Sequence, residues 1–221
     1  MQYRTASSGS DWRKRLTNTK VSGPGTAGYA EQADGLIESY ESVNFDELYR
    51  PLHEFLPGGG KALDIGAGTG RDAAALAAKG FQVLAVEPTA ALRAHGQLLH
   101  PDPNIAWLDD SLPDLSQVHA RGERYDLILM TAVWMHLDED ERGRALPRVA
   151  ALLAPDGRIF MTVRKGPVPA GRRMFVVPIE PLVAQAQSLS LKLLRQYEFG
   201  DMLGRRDVSW TMLAFEKGNR V

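Results

Sequence analysis

The sequence of 221 residues lacks cysteine and also lacks any long apolar run. Without cysteine, the chain cannot form a disulfide, a thiolate-ligated zinc site, an iron–sulfur cluster or a cysteine nucleophile. No apolar segment approaches the roughly 18 residues that a membrane-spanning helix needs, so we expect no membrane partner. Residues 1–20 lack the apolar core of a secretory signal, and we therefore expect a cytoplasmic protein.

An excess of charge is also lacking, because 26 Lys and Arg residues are matched by 27 Asp and Glu residues. The formal net charge of −1 gives no electrostatic reason to expect a nucleic acid as partner. The hydrophobic share of 44% is ordinary for a globular domain, and the length suffices for one well-buried core. The composition does not indicate an oligomeric state.

The chain divides into an N-terminal helical part and a longer part in which strands and helices alternate. Residues 1–27 are polar, and apolar residues from Tyr29 to Leu56 recur at helical spacing, with a break near Asn44. This pattern predicts an arm and two helices over residues 1–56 and a second domain over residues 57–221.

Alternating strands and helices in residues 57–221 predict an α/β fold. The predicted strands are 61–65, 81–86, 104–108, 125–130, 158–163, 191–199 and 209–217. The predicted helices are 72–78, 93–99, 138–153 and 180–188. Because residues 200–207 are too few for a parallel crossover, the last two strands should be antiparallel. We thus expect a doubly wound, seven-stranded, mostly parallel sheet with an antiparallel last strand.

Residues 62–70 join an apolar strand to an alanine-rich helix through a glycine loop. Glycine permits positive φ angles and close approach of a ligand, and the free N–H groups of a helix start favour an electron-rich ligand. This pattern indicates a nucleotide-type cofactor. A dinucleotide fingerprint has its third glycine where this chain has Arg71, which disfavours NAD.

The spacing of Asp64, Gly66, Gly68 and Gly70 resembles motif I of the class I S-adenosylmethionine-dependent methyltransferases. The resemblance spans roughly residues 29–217 and implies a Rossmann-like fold, an N-terminal helical lid, S-adenosylmethionine as cofactor and S-adenosylhomocysteine as product. The cofactor contacts that it implies are Asp64, Gly66, Ala67, Gly68, Gly70, Glu87, Pro88, Asp109, Asp110, Ser111 and Thr131.

Three acidic positions have distinct expected roles. Glu87 ends the second strand, where methyltransferases place a carboxylate that accepts the ribose hydroxyls. Either Asp109 or Asp110 could accept the adenine amine, with Asp110 slightly preferred, although adjacent aspartates are also common helix caps. Asp64 should have a positional role, bonding to loop amides or to the amino group of the cofactor.

The segment after the fourth strand, residues 131–137, resembles the part of small-molecule methyltransferases beside the substrate. It lacks the Asp/Asn-Pro-Pro-aromatic motif of nucleic-acid amino methyltransferases, which disfavours base methylation. His136 is the candidate general base, because an imidazole titrates near neutral pH, but it could instead cap a helix or pack. Trp134 could line the cofactor beside the substrate, or it could fill the core.

Cations in the late loops suggest an acceptor with an anionic group. Arg164, Arg172 and Arg173 follow the fifth strand, and further cations at Lys165, Arg205 and Arg206 would face the same edge of the sheet. The lid resemblance adds the tyrosines Tyr29, Tyr40 and Tyr49 as candidate substrate contacts, and the spacing does not select among them.

These residues predict a metal-free methyltransferase that acts on an oxygen or nitrogen atom of a small molecule. Methyl transfer needs mainly positioning of the acceptor against an activated donor, which agrees with the lack of a visible triad. One alternative is an RNA or protein methyltransferase that uses the basic loops and the Arg13–Arg15 arm. Another is a catalytically silent cofactor-binding module that regulates a partner.

Overall fold

A computed structural model describes residues 29–218, in which short apolar strands alternate with helices. The strands are β1 (Gly60–Ile65), β2 (Phe81–Val86), β3 (Ile105–Leu108), β4 (Tyr125–Met130), β5 (Leu153–Lys165), β6 (Leu191–Gly200) and β7 (Ser209–Lys217). The helices are α1 (Tyr29–Glu41), α2 (Phe45–Leu48), α3 (Arg71–Ala78), α4 (Ala90–Leu99), α5 (Ser116–Ala120), α6 (Glu139–Ala151) and α7 (Ile179–Ser188). Short 3-10 helices cover Arg50–Phe55 and Trp134–His136.

All seven strands form one sheet in the order β3-β2-β1-β4-β5-β7-β6. Strands β1 to β5 are parallel, and β7 is antiparallel to both of its neighbours, β5 and β6. This arrangement confirms the predicted fold. The strand order reverses between β1 and β4, and in open α/β sheets the crevice outside the carboxyl ends at such a point is where ligands bind.

Apolar side chains from alternate positions of the strands form two cores, one on each face of the sheet. Leu63 and Ile65 of β1 pack into the first core together with residues of α5, α6 and α7. Ala62 faces the second core, which α2 and α3 cover. Alternation along a strand places successive side chains on opposite faces, so a strand buried on both faces needs a continuous apolar run. Within residues 29–218, no helix is long and apolar enough to cross a membrane.

The main departure from the predicted elements is at the start of β5. This strand begins at Leu153 rather than at residue 158, because residues 154–157 stay in the strand despite a turn-like sequence. Asp156 there adopts a φ of 57°, and the pairing of β4 with β5 shifts register nearby. Helix α5 was not predicted, because five residues are too few for a helical pattern to be recognised.

Candidate functional site

The glycine loop after β1 lies at the carboxyl edge of the sheet and is anchored to the end of β2. The N–H groups of Gly66 and Ala67 both donate to the carbonyl of Val86, at 2.8 and 3.0 Å. Gly66 has a φ of 72°, and a Cβ there would lie 2.6 Å from a methyl group of Val133. Any larger residue at Gly66 would therefore be strained and would displace the neighbouring segment.

The loop borders a cavity that runs across the carboxyl ends of β1 to β4, which we call the first cavity. Its wall includes nine of the predicted cofactor contacts: Asp64, Gly66, Ala67, Gly68, Glu87, Pro88, Asp110, Ser111 and Thr131. Their position along the edge follows the strand order, with Asp110 after β3, Glu87 after β2, Asp64 in β1 and Thr131 after β4. The wall of the first cavity thus carries one polar group from each of these four strand ends.

Glu87 is buried and connects the glycine loop to the start of α4. One carboxylate oxygen accepts the N–H of Gly68 at 2.9 Å, and the other accepts the N–H of Thr89 at 2.7 Å. Burial raises the pKa of the Glu87 carboxyl, while these backbone donors oppose the rise. Each carboxylate oxygen has two lone pairs, so the group can still accept hydrogen bonds from a ligand in the cavity.

Asp64 is almost fully buried, and its Oδ2 atom has no hydrogen-bond partner among the described residues. Burial raises the pKa of the Asp64 carboxyl well above its ordinary value, and the nearby carboxylate of Asp72 adds to the rise. The positive charge of Arg71 and, more weakly, a backbone N–H from Ala73 lower this pKa. A buried acceptor without a partner is costly, so this oxygen is well suited to a hydrogen-bond donor from a ligand in the first cavity.

A buried polar chain continues from α3 to the end of β4. Thr131 donates from its hydroxyl to Asp72 Oδ2 at 2.6 Å, and Tyr49 lies 2.5 Å from the same hydroxyl oxygen. Because the Thr131 proton is committed to the carboxylate, the Tyr49 hydroxyl is the donor in the second bond. This chain fixes the rotamer of Thr131 at the wall of the cavity.

Two predicted cofactor contacts do not line the first cavity. Gly70 precedes α3 with a φ of 86°, and a Cβ there would lie 2.7 Å from the ring of Trp107, so its role is packing. Asp109 is half exposed and pairs with Arg93 at 2.9 Å. Asp110 does line the cavity, but its carboxylate also accepts the N–H groups of Gln117 and Val118 at the start of α5. Both alternatives for Asp110, ligand contact and helix cap, are therefore compatible with its position.

A second cavity adjoins the first and opens between α1, the 166–178 segment and the β6–β7 loop. Apolar side chains form much of its wall, among them Leu36, Met135, Met174, Phe199 and Trp210. The two cavities share five wall residues, namely Tyr40, Arg71, Thr131, Ala132 and His136. A ligand in one cavity would therefore lie against a ligand in the other at this junction.

His136 lies at this junction and is 7% exposed. Its Nδ1 atom lies 2.8 Å from the carbonyl oxygen of Arg173, which can only accept, so Nδ1 carries the proton and Nε2 carries the lone pair in the neutral ring. Burial lowers the pKa of His136, and the positive charges of Arg172 and Arg173 also lower it, while the hydrogen bond to the carbonyl opposes them. The imidazole is therefore neutral at pH 7 and able to accept a proton.

The arginines of the late loops have different positions. Arg164 and Arg172 line the second cavity, as does Arg205 from the β6–β7 loop. Arg173 lines neither cavity, because its guanidinium pairs with Asp138 at 2.8 Å and Glu141 at 2.7 Å. These two carboxylates form the capping box at the start of α6, so Arg173 has a structural place beside His136.

Trp134 and Tyr29 are the other predicted substrate contacts, and the structure describes the side chain of Trp134 alone. Trp134 is fully buried in the core on the α5–α7 face and lines neither cavity, which agrees with its alternative as a packing residue. Tyr29 begins α1, but its side chain lies outside the described part of the chain. Of the two tyrosines whose side chains the structure describes, Tyr40 lines both cavities.

Several residues of the site were not predicted. In the sequence, Arg71 indicated only that the dinucleotide fingerprint is not matched. Asp72 is an acidic residue in the first turn of α3, a position that by itself does not indicate a functional role. Their roles depend on contacts with α1 and β4, which are distant in sequence. Only their position directly after the glycine loop could have indicated that Arg71 and Asp72 lie at the site.

Comparisons with known proteins agree on one family and one fold. A family model described as a methyltransferase domain matches residues 38–215. Ubiquinone biosynthesis O-methyltransferase from Bradyrhizobium diazoefficiens is 34% identical over 128 residues, covering 58% of this chain. The match covers 48% of that protein, so the chain spans about half the length of this relative.

Solved structures give the same result for the fold. The 1,6-didemethyltoxoflavin-N1-methyltransferase of Burkholderia thailandensis, crystallised with 1,6-didemethyltoxoflavin and S-adenosylhomocysteine, is similar with a TM-score of 0.68 and 20% identity. That similarity covers 92% of this chain and 94% of the other. A TehB-like S-adenosylmethionine-dependent methyltransferase from Corynebacterium glutamicum has a TM-score of 0.61 and 24% identity, over 86% and 96% of the two chains. At these identities the likeness shows a shared fold.

Proposed function

Since the chain belongs to the methyltransferase domain family, we propose that it transfers a methyl group from S-adenosylmethionine to an oxygen or nitrogen atom of a small molecule. The observation that carries this proposal is the common wall of the two cavities at Thr131, Ala132 and His136. A donor in the first cavity and an acceptor in the second would meet there, as direct transfer between two bound molecules requires.

The residues of the first cavity fit the cofactor. Glu87 can accept the ribose hydroxyls with the lone pairs that the Gly68 and Thr89 amides leave. The unpartnered Oδ2 atom of Asp64 suits the ammonium of the amino acid part. The cofactor would supply the activated methyl group, and the residues of this chain would bind it and orient it towards the acceptor.

His136 is the proposed general base for acceptors whose hydroxyl or amine must lose a proton. The Arg173 carbonyl fixes the tautomer, so that Nε2 is the atom that accepts the proton. The lowered pKa keeps the ring neutral at physiological pH. A base of this kind typically contributes about 100- to 10,000-fold to the rate.

We further propose that the acceptor combines an apolar, flat body with an anionic group. The apolar side chains Met135, Phe199 and Trp210 suit the body, and the guanidinium groups of Arg164 and Arg172 suit a carboxylate or phosphate. Arg205 lines the same cavity, and its guanidinium pairs with Asp201 at 2.6 Å.

The proposed activity is tested by calorimetric titration with S-adenosylmethionine and S-adenosylhomocysteine. In the Glu87→Gln variant we expect affinity for both compounds to fall about 10-fold or more, because a charge-assisted acceptor is lost. Glu123→Gln is the matched control. Glu123 lies just before β4 and pairs with Lys61 at the start of β1, at the edge of the sheet opposite the first cavity. Absence of binding to the wild-type protein would refute the proposal.

The acceptor proposal is tested with a panel of hydroxylated and amino-substituted aromatic carboxylic acids and their neutral amides. We expect methyl transfer from S-adenosylmethionine to favour the acids, and Arg172→Met to reduce this preference about 10-fold. Arg195→Met is the control, because Arg195 pairs with Glu54 away from both cavities. Equal turnover of acids and amides by the wild-type protein would refute the anionic assignment.

A further inference from the structure

The carboxylate of Asp201 organises the loop between β6 and β7, residues 201–208. Its Oδ2 atom accepts from the backbone N–H of Leu203 at 3.0 Å, and from the backbone N–H and the Nε atom of Arg205 at 3.1 and 3.0 Å. Its Oδ1 atom accepts from Nη2 of Arg205 at 2.6 Å and from the indole Nε1 of Trp210 at 3.0 Å. One carboxylate thus connects the turn after β6 to the start of β7.

Asp201 is ionised although its side chain is only 2% exposed. Burial alone would raise the pKa of this carboxyl, but the hydrogen bonds from Arg205 and Trp210 and the positive charge of Arg205 outweigh burial and hold the pKa well below its ordinary value. The donors around Asp201 therefore have a charged acceptor at physiological pH, which gives the stronger class of hydrogen bond.

The same carboxylate sets the position of a continuous part of the second cavity wall. Its bond to the N–H of Leu203, two residues on, is the local turn that aspartate favours, and this turn places Met202 and Leu203. Arg205 and Trp210 are held by their side chains. All four of these residues line the second cavity, so this part of the wall depends on Asp201.

Trp210 lies in the middle of a row of residues that crosses three strands. It is the register partner of Phe199 on β6 and of Arg164 on β5. Register partners place their side chains on the same face of a sheet, about 5 Å apart, and all three residues line the second cavity. The row gives this cavity two adjacent aromatic side chains, with a cation at the β5 end.

The bond to Asp201 determines what Trp210 can offer to a ligand. An indole has one N–H donor and no acceptor, and this donor is already bound to Asp201 at 3.0 Å. Trp210 therefore presents only ring surface to the second cavity. Because aromatic rings attract one another beyond the effect of buried area, this surface favours an aromatic ligand over a saturated one of similar size.

We propose that Trp210 selects acceptors with an aromatic body over other apolar acceptors, and that Asp201 is the positioning residue that fixes Trp210 and the 202–205 turn before the acceptor binds. This inference rests on the proposed function and specifies its acceptor. A wall that Asp201 already holds spares the acceptor the cost of ordering a large side chain. Loss of Asp201 should weaken acceptor binding and leave cofactor binding unchanged, because neither Asp201 nor Trp210 lines the first cavity.

The first test compares 2-naphthoate with its saturated analogue, decahydro-2-naphthoate, by calorimetry in the presence of saturating S-adenosylhomocysteine. We expect the wild-type protein to bind 2-naphthoate about 3- to 10-fold tighter, although the saturated compound is the more apolar of the two. Trp210→Leu should bind the two compounds with equal affinity. Trp210→Phe should keep part of the preference, and it serves if the leucine variant does not fold.

The role of Asp201 is tested with the same compounds. Asp201→Asn should bind 2-naphthoate about 2- to 10-fold more weakly than the wild-type protein does, and S-adenosylhomocysteine with unchanged affinity. Asp207→Asn is the matched control, because it removes the same charge from the same loop at an exposed residue that lines neither cavity. Both affinities should be unchanged in this control.

The indole N–H signal of Trp210 in a proton–nitrogen correlation NMR spectrum separates positioning from a general loss of structure. Its absence in Trp210→Phe identifies the signal. In Asp201→Asn it should move upfield, because the charge-assisted hydrogen bond is lost, while the indole signals of Trp107 and Trp134 stay in place. In the wild-type protein, 2-naphthoate should shift the Trp210 signal.

Three results would overturn the inference and leave the assignment of the first cavity intact. The wild-type protein could favour the saturated compound or bind neither, Trp210→Leu could keep the preference for 2-naphthoate, or the Trp210 signal could stay unchanged in Asp201→Asn. Failure of the wild-type protein to bind S-adenosylhomocysteine would instead refute the proposed function on which the inference rests.

Discussion

Replacing Asp64 by asparagine should stabilise the fold and weaken cofactor binding at the same time. The wild-type carboxylate is buried with one oxygen lacking a partner among the described residues, and burial raises its pKa well above the ordinary value. Asparagine keeps the shape and can still accept the N–H of Ala73, but it carries no charge. The relief of the buried charge should amount to about 1–2 kcal/mol, because the amide also leaves one polar group unpaired.

The pH dependence of this difference has a definite sign. Since the folded-state pKa of Asp64 lies above the unfolded value, wild-type stability is fully present below the unfolded pKa and falls as pH rises towards the folded value. The stability of the asparagine variant does not fall with pH for this reason, because asparagine does not titrate. The two proteins should therefore unfold at similar temperatures in acid, and the variant should melt about 2–8 °C higher near neutral pH.

Cofactor affinity should change in the opposite direction. Loss of a charge-assisted bond to the ammonium of S-adenosylmethionine should weaken binding about 10- to 100-fold. In the wild-type protein, binding should release a proton at pH values near the raised pKa, because the ammonium favours ionised Asp64. Calorimetry in buffers with different ionisation enthalpies measures this release, which should be absent in the variant.

The matched control is Asp114→Asn, since Asp114 is exposed and its carboxylate lies 3.6 Å from Arg144. This variant should change neither the unfolding temperature at neutral pH nor the affinity. An Asp64→Asn protein that melts at a lower temperature and binds S-adenosylmethionine as tightly as the wild type would refute the assignment of Asp64 as an unpartnered acceptor for the cofactor.

Two further predictions concern catalysis and packing. His136→Gln should lower kcat about 100-fold or more with little change in KM, for an acceptor that must lose a proton. Because burial and the nearby arginines lower the pKa of His136, the acidic limb of the wild-type pH–rate profile should fall below pH 6.5, and a limb above this value would contradict the base assignment. Gly96→Ala should destabilise the protein by about 1–3 kcal/mol, because the added Cβ would lie 2.2 Å from the Trp107 ring and 2.8 Å from the Thr69 carbonyl oxygen. Thermal unfolding measures this loss, and Gly143→Ala, where a Cβ meets nothing within 4 Å, should not show it.

The fold was largely predictable because the strands are continuous apolar runs that glycine and charged residues interrupt. The bounds of β2, β4 and β7 agree with the sequence prediction at both ends. The start of β5 was not predictable, because Pro155 and Gly157 are typical of a turn, and their retention in the strand depends on the pairing of the flanking residues Leu153 and Arg158 with β4.

The site was predictable where a residue's place follows from a single loop or strand end, as for Gly66, Glu87 and Thr131. It was not predictable where the role depends on a partner distant in the chain. Arg173 was expected at the substrate, but its ion pairs with the α6 cap hold it beside His136 instead. Arg71 and Tyr40 meet only after α1 has packed on the glycine loop, and the sequence pattern of either element alone contains no sign of this contact.

The separation of the two cavities along the chain has a consequence for how such a protein can acquire new acceptors. Apart from the shared junction, the first cavity is built from residues 64–112 together with Val133 and Leu137, while the second draws on residues 36–48, Met135, the 162–174 stretch and residues 199–210. Changes in these outer segments alter the shape and charge offered to the acceptor and leave the glycine loop and Glu87 untouched. Exchange of the outer segments between relatives is therefore a direct route to altered acceptor choice with the donor site preserved.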